Sequence, residues 1–174
     1  MAGYSEVIQT MAAMIIFSII LLSANSMIHR NTMFQVSGEL EQEVISVGQE
    51  IIEEARAKSF DQVTVNSTAP PALIPGGFTA SENLGPDGLE TLRRHFDDFD
   101  DYNGWAETIT TTHGDFNIEV EVYYVERTPA GEFNRVNTQT TFKKIDVFVT
   151  SEFLRSGNEP QRYVLEFIRN YYAD

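Results

Sequence analysis

The chain has 174 residues, 19.7 kDa, no cysteine, and a net charge of −14 from 26 acidic and 12 basic residues. That length suits one domain plus an appendage. The missing cysteines exclude a disulfide or cysteine–zinc scaffold, and the acidic balance argues against a nucleic-acid partner, which needs positive charge to meet phosphates. The segment after Ser59 alone carries 19 acids against 9 bases, a net of −10.

From Val7 to Ile28 there is no charged side chain, a window of 22 residues. As a helix at about 1.5 Å per residue it reaches roughly 33 Å, enough to cross a hydrocarbon core of about 30 Å. Gln9, Thr10, Ser18, Ser23 and Asn25 mark no continuous polar stripe, unlike the polar face of a soluble core helix. No Lys or Arg precedes Arg30, so the basic first region of a cleaved secretory signal is missing and the segment is expected to stay in the mature protein. Arg30, on the C-terminal side of the span, weakly opposes export of the C-terminal domain.

Beyond the span, Met33, Val36, Leu40, Val44, Val47, Ile51 and Ala55 recur at spacings of 3, 4, 4, 3, 4 and 4, one face of an amphipathic helix. Glu39, Glu41, Glu43, Gln49, Glu50, Glu53 and Glu54 fall mainly on the other faces, and no proline occurs before Pro70. One helix is therefore predicted from about Ser5 to Lys58, with Gly38 and Gly48 as its weak points. The chain divides accordingly into residues 1–29, a transmembrane or filament-core helix, and residues 30–174, a soluble domain that includes the helix continuation.

Residues 59–88 shift to Pro, Gly, Ser, Thr and Asn and read as a wrapped loop. A short helix is predicted over Leu89 to Phe96. The string HFDDFDDYNGW then runs from His95 to Trp105. A short strand near Glu107 to Thr112 comes next. Phe116, Ile118, Val120, Val122 and Tyr124 alternate with polar neighbours, as do Ile145, Val147 and Val149, then Tyr163, Leu165 and Phe167. These are half-buried strands, with a hairpin turn at Thr128 to Gly131 and a junction through Ser156 to Pro160. The expected architecture is α+β: a long helix, its first half membrane-spanning and its second half amphipathic, packed on a four-stranded antiparallel sheet.

Chemistry has little material. His29, His95 and His113 are not spaced as a helical pair, and neither a phosphate-cradling loop nor a dinucleotide fingerprint nor a nucleophile elbow occurs. No catalytic residue, cofactor site or enzyme activity is expected. In the acidic string, aligning Gly104 with the glycine of an EF-hand puts Phe99 at the first ligand position and Thr110 at the twelfth, which excludes that loop. An irregular calcium site drawn from Asp97, Asp98, Asp100, Asp101 or Asn103 is the alternative to a solvated acidic turn. At the start of the span stands Glu6. It is either an interfacial carboxylate or, in an assembly of staggered helices, the partner of a neighbour's amino terminus that fixes axial register.

With SEVIQTMAAMIIFSIILL at residues 5–22, the amphipathic continuation, FDDFDDYNGW, FKKIDVFVTS and RYVLEFIR, the chain resembles the type IV pilin-like proteins, which include major and minor pilins and the pseudopilins of type II secretion. The acidic string and the FKKIDVFVTS strand are similar to minor pilins of the mannose-sensitive haemagglutinin type. Members carry a glutamate entering an apolar helix, at the fifth mature position after a basic leader ending in glycine. Here no basic leader precedes Gly3 and Tyr4; removal of Met1 places Glu6 fifth, and cleavage after Gly3 places it third. The resemblance implies a filament or pseudopilus subunit, held in the inner membrane with its C-terminal domain exported and then assembled at the cell surface or in the periplasm. Its partners are other copies of itself or related subunits, met through Glu6, Met14, Ile15, Phe17, Ile20 and Leu21. The alternative is a membrane-anchored binding module of an envelope complex that does not polymerise.

Overall fold

The computed structural model describes residues 2–65, 69–88, 90–156 and 159–173. It has an α+β architecture of one long helix, α1 (Ala2–Arg56), and an antiparallel sheet. Two compact units divide between Glu41 and Gln42, inside α1.

In the first unit, α1 runs without a break through the apolar segment, whose best window has a mean hydropathy of 2.2 and is wholly exposed. This helix is long and apolar enough to cross a membrane. Its hydroxyls turn back onto their own helix: Thr10 Oγ1 donates to the Val7 carbonyl at 2.9 Å, Ser18 Oγ to Met14 at 2.8 Å and Thr32 Oγ1 to Ile28 at 3.1 Å. Each polar group so satisfied needs no water, which suits a helix in an apolar medium.

In the second unit the sheet order is β1 (Ala106–Thr111), β2 (Gly114–Arg127), β4 (Phe142–Ser156), β5 (Glu159–Asn170), all antiparallel neighbours. The sequence pattern omits a fifth strand, β3 (Phe133–Arg135), which pairs with the end of β2 as the return arm of the hairpin at Thr128–Gly131. It is too short to show a period. Gly114, at φ +117°, closes the β1–β2 turn in the left-handed region that favours glycine.

Register explains the core. Ile118 faces Val149, Val120 faces Val147 and Val122 faces Ile145. These cross-strand pairs lie on one face, and all six residues are buried. Val44, Val47, Ile51, Ile52 and Ala55 of α1 are buried too, each large side chain contributing about 1.5–3 kcal/mol by leaving water. Met33 and Val36, on the same predicted stripe, are exposed, so the stripe begins well before burial does.

Gly48 marks where helix and β5 approach most closely: a Cβ there would lie 2.7 Å from Leu165 Cδ1 and 2.9 Å from Cδ2. Gly48→Leu is therefore expected to destabilise the second unit by about 1–3 kcal/mol through overpacking. Around Gly38 nothing lies within 4 Å, so Gly38→Ala should stabilise α1 by about 0.5–1 kcal/mol. Thermal melts of the two variants, followed by circular dichroism, test the contrast.

The segment between α1 and β1 is irregular, as its composition indicates, but the helix predicted over Leu89 to Phe96 does not form among the described residues. Only a 3₁₀ turn at Arg93–His95 is present, preceded by Leu92 in extended conformation (φ −127°, ψ 137°), and Leu89 lies outside the described residues. Long-range contacts of Arg93, described below, override the local propensity.

Candidate functional site

The acidic string is not a solvated turn. Asp98, Asp100 and Asp101 are buried with Phe96, Phe99 and Tyr102, all at 3% exposure or less. The aromatic residues at every third position explain this: they go inward and carry the intervening carboxylates with them. The carboxylates then satisfy the backbone of a tight turn. Asp101 Oδ2 accepts from the amides of Asp97 and Asp98 at 2.8 and 2.9 Å, and Asp98 Oδ1 accepts from Asp100 and Asp101 at 2.8 and 3.3 Å. Asn103 stitches the turn to its neighbours, its Oδ1 accepting from Val122 N and its Nδ2 donating to Leu84 O, both at 2.9 Å. Gly104 (φ +77°) reverses the chain so that its own N–H donates to Val120 O at 3.0 Å.

Of the five candidate calcium ligands, Asp97 and Asp101 are brought together and the other three are engaged elsewhere. Asp98 and Asn103 are engaged by backbone, and Asp100 faces Lys143. The carboxylates that do converge are Glu90, Asp97 and Asp101, with one oxygen from each within 4.8 Å of the others. Burial and the Asp101 and Asp97 carboxylates push the Glu90 carboxyl up to about 7, and burial with Asp101 raises Asp97. Three carboxylates supply only part of the six to eight oxygens that calcium takes. Glu90 lies outside the string, seven residues before Asp97, and no local pattern links it to the cluster.

The centre of the network is Lys143, whose side chain is fully buried. Its Nζ donates to Asp61 Oδ2 at 2.7 Å and to Phe60 O at 2.9 Å, and pairs closely with Asp100 Oδ1. Nζ also lies 4.7 Å from the Phe60 ring centroid and 5.4 Å from that of Tyr124, within cation–π reach. Asp61 is held in turn by Thr79, whose N–H and hydroxyl donate to it at 3.0 and 3.1 Å, and by the Tyr124 hydroxyl at 3.3 Å. Burial and the neighbouring Asp61 carboxylate raise the Tyr124 phenol well above its ordinary range. Strand parity, in fact, contained the signal. Lys143 has the parity of Ile145, Val147 and Val149 and pairs with Tyr124, so the period of two already set a lysine on an apolar face.

A second network covers the other end of the turn. Arg93 Nε donates to Glu54 Oε2 at 2.8 Å and its terminal nitrogen reaches Glu50 Oε1 at 3.0 Å, while the Tyr102 hydroxyl donates to Glu54 Oε1 at 2.8 Å. Burial raises the Glu54 carboxyl, but the hydrogen bonds from Arg93 and Tyr102 outweigh it, and the net direction is down. The Arg93 guanidinium lies 5.4 Å from the Trp105 ring centroid.

The assembly candidates Glu6, Met14, Ile15, Phe17, Ile20 and Leu21 are all exposed along the first unit's helix. No family model, curated protein or solved structure matches this chain.

Proposed function

We propose that this protein is a structural subunit of a type IV pilus-like filament or pseudopilus, assembled through its N-terminal helix. One observation carries the reading. A continuous 55-residue helix leaves Met14, Ile15, Phe17, Ile20 and Leu21 exposed at 53–70%, and then enters an antiparallel α+β domain. That apolar surface needs a non-aqueous environment, first lipid and then neighbouring helices that replace it.

Glu6 is the one acid in the first 38 residues, and in the assembled core it pairs with the amino terminus of an adjacent copy. Glu6→Ala is expected to cut the yield of filaments in sheared surface material at least tenfold, or to abolish pseudopilus cross-linking, while the far-ultraviolet spectrum and melting of the domain stay unchanged. Negative-stain microscopy with an antibody against residues 59–174 reads the result. Undiminished labelled filaments from Glu6→Ala, or antigen confined to the membrane as single copies in the parent chain, would refute the assignment.

A further inference from the structure

The surroundings of Lys143 do more than neutralise charge. Its amine, a carboxyl acceptor, a proton acceptor and a proton donor stand side by side in a site closed to bulk water. Lys143 and Asp61 have no exposed surface, and Asp98 and Asp100 are each at 2%. On one side of Nζ is Asp100 Oδ1, on the other Asp61 Oδ2 at 2.7 Å, and the rings of Phe60 and Tyr124 wall the site. Behind Asp100 stands Asp98, whose Oδ1 accepts from the Asp100 N–H at 2.8 Å. Asp98 is the protonated member: burial first, and Asp100 second, push it up to about 9.

We propose that Lys143 and Asp100 condense spontaneously into an intramolecular isopeptide bond between Lys143 Nζ and Asp100 Cγ. Asp61 Oδ2 takes one proton from the ammonium, and the freed lone pair on Nζ attacks Cγ of Asp100. The Cγ–O bond then breaks, its electron pair leaving with the oxygen. That oxygen receives one proton from Asp98 and a second from Nζ, and departs as water; the third proton stays on the amide nitrogen. The site begins with one positive and two negative charges and ends with one negative charge, one proton being left between Asp61 and Asp98, so charge and atoms balance without an oxidant or co-reactant.

Three physical effects favour the step. Fixed contact between the reacting groups replaces an encounter, an advantage worth effective concentrations of about 10⁵–10⁸ M in well-oriented cases. A lysine shielded from water beside a proton acceptor becomes a nucleophile. The product amide replaces an ion pair whose desolvation is costly, and the water formed is lost to bulk from a closed site. The bond would tie the acidic turn to β4 across 43 residues of sequence, a covalent brace in a chain with no cysteine. It is independent of the filament reading.

Peptide mapping by mass spectrometry of the full chain, extracted in detergent, tests this directly. The expected result is a branched peptide containing Lys143 and Asp100, lighter by one water than its two parts, in most chains. In Asp100→Asn, which keeps the side-chain shape, the same branched peptide should form with loss of ammonia instead of water. Linear peptides carrying an unmodified Lys143 and Asp100 throughout the parent sample would overturn the proposal. So would a branch from Lys143 to Asp61. Because the parent chain decides the question, a variant that fails to fold does not rescue the idea.

Discussion

Lys143→Met is expected to destabilise the domain by about 3–5 kcal/mol. The substitution keeps the length of the side chain but removes the amine that, among the described residues, meets both Asp61 and Asp100, and so leaves two buried carboxylates uncompensated. Taking one partner from a buried ion pair costs about 3–5 kcal/mol, because the charge left behind has neither water nor a counter-ion. Domains of this size hold about 5–15 kcal/mol in total, so the loss is a large share of the margin. The control is the adjacent residue. Lys144 pairs with buried Asp146 at 3.2 Å and with exposed Glu166 at 2.9 Å, and Asp146 keeps the hydrogen bond from the Tyr123 hydroxyl, so Lys144→Met should cost clearly less than Lys143→Met. Urea titrations followed by circular dichroism compare the two. Similar midpoints would mean that Lys143 is not the keystone of the network.

Raising the pH should destabilise the domain, and Asp98 is the main cause. Its folded carboxyl titrates at about 9, against about 3.9 for an unfolded aspartate. Glu90, at about 7, behaves in the same direction over a narrower window. Between the unfolded and folded values the native state holds a proton that the unfolded chain has lost, so stability is greatest below about pH 4 for this group and falls by up to about 1.4 kcal/mol per pH unit as the solution becomes alkaline. Glu54 has the opposite sign, since its carboxyl is lowered, but its contribution is lost only as pH drops below the usual carboxylate range. The melting temperature is therefore expected to decline from about pH 5 to about pH 9. Asp98→Asn mimics the protonated acid: its amide oxygen still accepts from Asp100 N and Asp101 N. This variant should lose most of the decline between about pH 7 and about pH 9. A variant that retained the full slope would place the titration elsewhere.

Local periodicity carried the architecture. The 3.6-residue stripe through Val44, Val47, Ile51 and Ala55 and the alternation of Phe116 to Tyr124 both report single faces, which any continuous element must show. By the same parity Lys143 shares the inward face with Ile145. What periodicity could not tell was which carboxylates would meet it. Asp61 and Asp100 arrive from two separate irregular segments, 82 and 43 residues away, and their meeting depends on the chain path from Ser59 to Trp105. The acidic string was misleading for the same reason. Four aspartates in five residues suggest solvent, but Phe96, Phe99 and Tyr102 bury the turn, and its carboxylates serve backbone amides of that same turn. Charge density in a sequence says little about solvation when aromatic residues share its spacing.

Trp105 is the only tryptophan of the chain, and its place gives the molecule a built-in optical reporter. The indole sits beside the Arg93 guanidinium and 6.4 Å from the Tyr102 ring, at the junction of the acidic turn and β1. Its emission colour reports on that junction, within the second unit. Fluorescence of the intact protein can thus separate melting of the domain from insertion, extraction or association of the helix, without a label or a truncated chain.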